Sequence, residues 1–243
     1  MWQKVDPRGF RTGIVRWWTS EYFAPTKKLS AEYMVQDLKV RNYIDKFYKY
    51  AGISKVVFRK GNNWEETKND ILIFTAKPGL ILWKEWKRLE QFKKSLTKQF
   101  KEDFEVMVKE IWKPELSARV MADHISSQIE KRMHYRRVIK SVVEKVMAKW
   151  AEWIKVNIAG RLNGAEMARS ETFKEWRIPL QTLRADVDYY YVPSLTKYGI
   201  LGIKVWIYKW DIEENATKKT SSRKDPRKTE IRETRIRKTR ISK

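Results

Sequence analysis

The spacing of apolar residues changes period several times along this chain, and that alternation limits the fold more than any other feature. Across residues 31–50, Tyr33, Leu38, Tyr43, Ile44 and Phe47 recur at helical steps. Ala51-Gly52 supplies a stop, residues 53–59 read as a strand, Gly61-Asn62-Asn63 as a turn, and residues 71–75 as a second strand. Pro78-Gly79 breaks that strand. A short apolar piece, residues 80–82, then leads through Trp83-Lys84-Glu85-Trp86 into a helix ending near Phe100. Phe104, Val106 and Val108 alternate with polar neighbours in a third strand. The order is helix, strand, strand, helix, helix, strand. Beyond Lys113-Pro114-Glu115, Leu116, Val120, Met121, Ile125 and Ile129 make one apolar stripe, and Ile139, Val142, Val143, Val146 and Met147 make another. Ile154, Val156 and Ile158 alternate with Lys155 and Asn157, and residues 187–192 and 199–207 read as two further strands, paired with each other. The pattern predicts an α+β protein.

Charge says what such a protein meets. The formal net charge is +23 over 243 residues. Residues 213–243 hold twelve Lys/Arg and five Asp/Glu, a net of +7, which leaves +16 on residues 1–212. A folded part this basic repels itself and suits a polyanionic partner. There is no cysteine, so disulfides, thiolate zinc sites and cysteine nucleophiles are excluded together. The N-terminal stretch MWQKVDPRGFRTGIVRWW lacks the apolar core of a secretory signal, and no apolar run approaches the ~20 residues of a membrane span. A soluble cytoplasmic protein is expected, with no membrane partner.

The cations form three groups. Lys4, Arg8, Arg11 and Arg16 lie in a first segment, residues 1–30, that Pro7, Gly9, Gly13 and Pro25 make irregular. Such an arm gains little from packing on itself and is expected to order against phosphates. Arg132, Arg136 and Lys140 fall at i, i+4 and i+8, with Arg137 beside them, and are expected on one helix face; a solvated basic face is the bland account of the same spacing. Arg161, Arg169, Arg177 and Arg184 sit among glycines, short apolar runs and a tyrosine cluster in the stretch GRLNGAEMARSETFKEWRIPLQTLRADVDYYYVPSLTKYGILGIKVWIYKW.

Catalytic signals are thin. His124 and His134 stand ten apart without an HExxH pattern, GxxxxGK[ST] is absent, and Ser170-Glu171 has no base partner. Asp186 and Asp188 share a strand face with Arg184, which favours an ion-pair ladder over a metal pair. No metal and no cofactor is expected. The enzyme reading, a nuclease built on Asp186 and Asp188, would require metal-dependent RNA cleavage.

The long stretch just quoted, the KPEL element at residues 113–116 and the opening QKVDPRGFRTGI resemble the bacterial small-subunit ribosomal protein S three family across residues 1–212. The element order of residues 31–111 is similar to a type II KH domain, whose two helices meet at a GxxG turn that brings backbone close to phosphates. The resemblance implies a basic arm (1–30), a KH domain (31–111), a C-terminal α+β domain with two long helices on a sheet (112–212) and a disordered basic tail (213–243). It implies contacts with small-subunit rRNA and neighbouring proteins of the subunit head. The KH turn would use Trp83, Lys84, Trp86, Lys87 and Arg88. Arg136, Arg137 and Lys140, with Arg161 and Arg169, would lie where mRNA enters and contribute passively to its unwinding, and Arg132 and Arg177 would be further RNA contacts. A free KH-type regulator of single-stranded RNA is the competing reading, and predicts a stable monomer with selective affinity outside the ribosome.

Seven tryptophans stand where the family pattern has glycine: Trp2, Trp83, Trp86, Trp150, Trp153, Trp176 and Trp210. At the KH turn two indoles would replace the one residue without a Cβ, which either blocks phosphate approach or makes a stacking platform. One cause accounts for all seven. Some bacterial lineages read UGA as glycine, and a common alternative code reads it as tryptophan. The expectation is glycine at these sites in the cellular protein.

Overall fold

The computed structural model describes residues 4–48, 51–60, 69–82, 86–100, 102–176 and 179–212; the side chains of residues 82–88 fall outside that description. The described residues build two four-stranded sheets, each with helices on one face. In the first lobe, α2 (Lys27–Phe47) is followed by β2 (Ile53–Lys60), β3 (Asn69–Thr75), α3 (Pro78–Leu82), α4 (Trp86–Phe100) and β4 (Phe104–Glu110), the order the sequence predicts. β2 and β3 pair antiparallel, and β4 joins β3 in parallel, with Ile71 opposite Val106. Val40 and Ile44 of α2 and Phe92 and Leu96 of α4 bury against Phe58, Ile71 and Ile73 of the sheet. Each such side chain contributes about 1.5–3 kcal/mol by leaving water.

The second lobe holds α5 (Ala118–Glu130), α6 (Tyr135–Met147), β5 (Trp153–Gly160), β6 (Arg169–Glu175), β7 (Ala185–Thr196) and β8 (Gly199–Asp211), with strand order β6-β5-β8-β7. The two helical stripes do what their spacing predicts. Ile125, Ile139, Val142 and Val146 pack on Ile154, Val156, Ile158, Ile203, Val205 and Ile207. On the opposite sheet face a smaller cluster of Trp206, Tyr208, Ala185 and Val187, joined by Trp153, Leu180 and Tyr189, covers one half. The lobes touch through Ser54 and Ser117, whose hydroxyl oxygens lie 2.6 Å apart, and through an ion pair between Arg119 and Asp45.

Three expectations fail, each for a physical reason. The arm is irregular only in part. Residues Pro7–Phe10 form α1, capped by the Asp6 carboxylate, which accepts from the Arg8 N–H at 2.8 Å, and Ser20–Tyr22 form β1, parallel to β2. It orders against protein. Arg11 is 0% exposed and donates to the carbonyls of Pro7, Pro179 and Leu180 at 3.0 Å and of Thr182 at 2.8 Å. Arg16 donates to Asp186 and Asp188, both contacts at 2.8 Å. The predicted basic face is also divided. The helix stops after Glu130, Arg132 turns the chain at φ +63°, and α6 starts at Tyr135, so Arg132 does not share a helix with Arg136 and Lys140. Finally, β6 was not predicted. Its sequence, RSETFKE, offers Phe173 alone to the core, and it is an edge strand with most side chains exposed.

Candidate nucleic-acid interface

The start of α6 is a cation mount. Tyr135 is buried by its ring and turns its hydroxyl outward, where it donates to Glu171 Oε1 at 2.9 Å. Arg136 sits on both, with Nε 3.0 Å from the Tyr135 hydroxyl oxygen and Nη2 3.1 Å from Glu171 Oε1. The Arg136 side chain remains 60% exposed. Hydrogen bonding to Glu171 raises the pKa of Arg136, and the same bond lowers that of Glu171. The strand therefore aims the guanidinium without burying it. Arg169 adds a second cation 3.8 Å from the same carboxylate oxygen. Arg137 and Lys140 are exposed on α6, three residues apart, beside Arg136.

A second group adjoins the first. His134, which precedes α6, stacks on Tyr135 with ring centroids 5.1 Å apart, and its Nε2 lies 3.1 Å from Asn163 Nδ2. Asn163 belongs to the turn that follows Arg161. There Arg161 donates from Nε to the Ala165 carbonyl at 2.9 Å and lies 5.9 Å from the exposed ring of Tyr198. Gly164 allows this approach: a Cβ there would come within 2.8 Å of the Tyr198 ring. The structure thus joins Arg136, Arg137, Lys140 and Arg169 around one strand–helix corner and links Arg161 to it through His134 and Asn163.

The remaining predicted residues fall elsewhere. Lys4 is exposed, and Arg8 is half-buried and pairs with Asp6 at 3.4 Å. Arg11 is a correction: its guanidinium is buried and donates to four protein carbonyls, so a phosphate does not reach it. Arg132 is exposed in its turn. Trp86, Lys87 and Arg88 open α4, but their side chains lie outside the described residues, as do Trp83, Lys84 and Arg177 altogether. Sequence reasoning missed Tyr135, Glu171 and His134 as the parts that aim the cations. Glu171 belongs to the strand that the sequence did not reveal.

The acidic pair is consumed by the fold. Burial alone would raise the pKa of Asp188, but Arg16, Lys209 and the Ala118 N–H, which donates to it at 2.8 Å, hold it below the usual carboxylate range. Asp186 takes Arg16 and Lys209. Ion pairs do take up these aspartates, but the cations are Arg16 and Lys209; Arg184, expected on the same strand face, precedes β7. Among the described residues no group of three or more His, Cys, Asp and Glu is arranged to hold a metal, and no helix is long and apolar enough to cross a membrane.

Residues 125–207, which carry this corner and the two aspartates of the acidic pair, match the family model described as ribosomal protein S3, C-terminal domain. Over 216 residues, 88% of this chain and 90% of the relative, the chain is 42% identical to small ribosomal subunit protein uS3 of Coprothermobacter proteolyticus. The chain belongs to the uS3 family. It is also 45% identical to uS3 of Vesicomyosocius okutanii over 87% of the chain and 90% of the relative. For uS3 of Carboxydothermus hydrogenoformans the figures are 40% identity, 91% of the chain and 98% of the relative. These matches cover too much of the chain to be confined to one lobe.

Proposed function

We propose that this chain is a non-catalytic structural constituent of the small ribosomal subunit in the cytoplasm, where it binds small-subunit rRNA and neighbouring proteins of the head. Residues 31–111 act as a type II KH domain. Their α2-β2-β3-α3-α4-β4 order and their mixed sheet support that reading, and the connection from α3 to α4 is the phosphate-binding turn. Residues 112–212 form the second domain, residues 1–30 are a strap joining it to the first, and residues 213–243 are a basic tail.

The α6 corner lines the path of incoming mRNA. One observation carries this: Arg136 is aimed by Tyr135 and Glu171 yet left open to solvent, next to Arg137 and Lys140. A carboxylate that fixes a guanidinium while leaving donors free makes a rigid phosphate contact at low entropic cost. Cations of this kind hold strands apart while the translating ribosome supplies the work. The test is translation of a hairpin-bearing mRNA by subunits carrying R136A with K140A. Slower passage through the hairpin, with unstructured mRNA unaffected, is the expected result. Unchanged passage removes the mRNA role and leaves rRNA binding standing.

A further inference from the structure

The sheet of the second lobe has an open face that none of the assigned cations uses. Residues of β5 that point away from the helices are Lys155, Asn157 and Ala159, because Ile154, Val156 and Ile158 point toward them. Register extends that outer face sideways. Lys174, Thr172 and Ser170 of β6 lie opposite Lys155, Asn157 and Ala159, and on the other side Trp206, Lys204 and Gly202 of β8 do the same. The aromatic cluster covers only the Trp206 end. At the other end Tyr191 lies against Gly202, where a Cβ would come within 3.3 Å of the ring, and the tyrosine is 48% exposed.

The composition of this face is one-sided. It carries three lysines, Lys155, Lys174 and Lys204, and no carboxylate. The acids of β6, Glu171 and Glu175, pair with Ile158 and Ile154 and so belong to the helix side. Lys155 lies 5.0 Å from the Trp206 ring centroid and pairs with no carboxylate among the described residues. Burial and the neighbouring charges of Lys4 and Lys174 push its pKa down. Asn157 donates to Ser170 at 3.0 Å and to Thr172 at 2.8 Å, which holds the polar side chains flat between the lysines. Ala159 and Gly202 leave the sheet surface low. Unneutralised lysines on a flat polar floor with one free aromatic ring are the elements of a single-strand platform: charge for the phosphates, a ring for a base.

We propose that the outer face of β6-β5-β8 is a second RNA-binding surface, with Lys155, Lys174 and Lys204 on the phosphates of one strand and Tyr191 beneath a base. It rests on the RNA-binding reading of the chain but not on the mRNA role of α6. The test compares the full chain with K155A/K174A/K204A, with Y191A, and with K27A/K28A/K39A on α2 as an equal loss of charge. Each is titrated with a labelled uridine oligonucleotide over a range of salt, after circular dichroism has established the fold. The lysine variant should bind at least tenfold more weakly, with a salt slope smaller by about 2 (some 0.7 per phosphate contact on a single strand). Y191A should weaken binding without changing the slope, and the α2 variant should lose less than threefold. Equal losses from the two lysine sets overturn the proposal, and so does intact binding. Intact RNA binding with failed incorporation into subunits would assign the face to a protein neighbour and also overturn it. If the unaltered chain binds no RNA, the RNA reading itself falls. Should the triple variant unfold, K204E alone, at an exposed position, carries the same test.

An independent observation concerns the backbone. Among the described residues four non-glycine positions have positive φ, and two are Trp150 (φ +70°) and Trp176 (φ +62°). Left-handed backbone costs an L-residue with a Cβ about 1–2 kcal/mol. Nothing offsets that cost, because the two tryptophans are 84% and 73% exposed. Trp150 follows the end of α6, its N–H donating to the Met147 carbonyl at 3.2 Å, where helices place glycine. The chain has only nine glycines, under 4% of 243 residues against a usual ~7%. We infer that positions 150 and 176 are glycine in the cellular protein, through UGA codons read as glycine. Peptide mass spectrometry of the chain from its native source decides: glycine at both positions is expected, and tryptophan at either overturns the inference.

Discussion

Arg16 and Arg136 are both arginines beside carboxylates, and the fold uses them in opposite ways. Arg16 spans Asp186 and Asp188, and its partners are almost closed to water. Arg136 rests on Glu171 and Tyr135 with most of its side chain open. One ties the N-terminal strap to the second lobe; the other is presented to a ligand. A basic sequence therefore does not translate residue by residue into RNA contacts. What separates the two is whether acceptors use up the donors or only point them.

That contrast is sharpest in stability. Arg16→Ala leaves two carboxylates almost closed to water with only Lys209 as a cation, and a loss of about 3 kcal/mol is expected in denaturant unfolding. The loss has a pH signature. Asp188 has a folded pKa below its unfolded value, so the stability it draws from Arg16 is complete above the usual carboxylate pKa near 4. It disappears as pH falls through the lower folded value. The gap between the two proteins should close in that window, and a gap that stays constant to pH 2 would mean Arg16 acts by packing alone.

Asp123 supplies an intermediate case, an acid near a cation that another acid already holds. Burial raises its pKa to about 6, Arg119 pulls it down, and Asp45, which pairs with Arg119, pushes it up. A folded pKa above the unfolded one makes its ionisation a cost. The native state binds the extra proton between about pH 4 and 6, so this contribution favours folding increasingly as pH falls through that window. Asp123→Asn should therefore stabilise by on the order of 1–2 kcal/mol at pH 8 and by almost nothing at pH 4. Thermal melts at the two pH values check it; equal shifts at both would place the cost outside the carboxylate's charge.

How much of this was readable beforehand follows the range of the interactions. The helical stripes of α5 and α6 and the order of elements in residues 31–111 come from local periodicity, and the structure has them where the spacing puts them. The strap was misread because its acceptors are remote. Three of the four carbonyls that bind Arg11 lie 168 to 171 residues away, and nothing in residues 1–30 announces them. β6 was invisible because an edge strand with one apolar residue has no period to detect. The α6 corner was half legible. Arg136, Arg137 and Lys140 are visible as a cluster; the spacing adds Arg132, which the left-handed turn before α6 places on another segment.

Trp150→Gly tests whether local strain rather than charge limits the second lobe. Relief of the left-handed backbone should stabilise by about 1 kcal/mol, read as a small upward shift in Tm. A fall in Tm would mean that the exposed indole makes a contact that offsets the strain.

The smallest expected change in stability belongs to Arg136→Ala, and it is the most informative about the comparison. The guanidinium itself is open to water, which can solvate the groups it leaves behind, so unfolding should hardly change. RNA affinity should nonetheless fall, with a reduced salt slope, because the residue's free donors are what the site offers. Glu171→Gln separates aiming from charge. It keeps an acceptor for Arg136 and removes the negative charge, so a merely electrostatic corner should bind RNA more tightly once the anion is gone. If Glu171 instead holds the guanidinium in one orientation, binding should weaken despite the gain in positive charge. Tighter binding by the glutamine variant would reduce Arg136 to another member of a diffuse basic surface. Weaker binding would make the carboxylate part of the site.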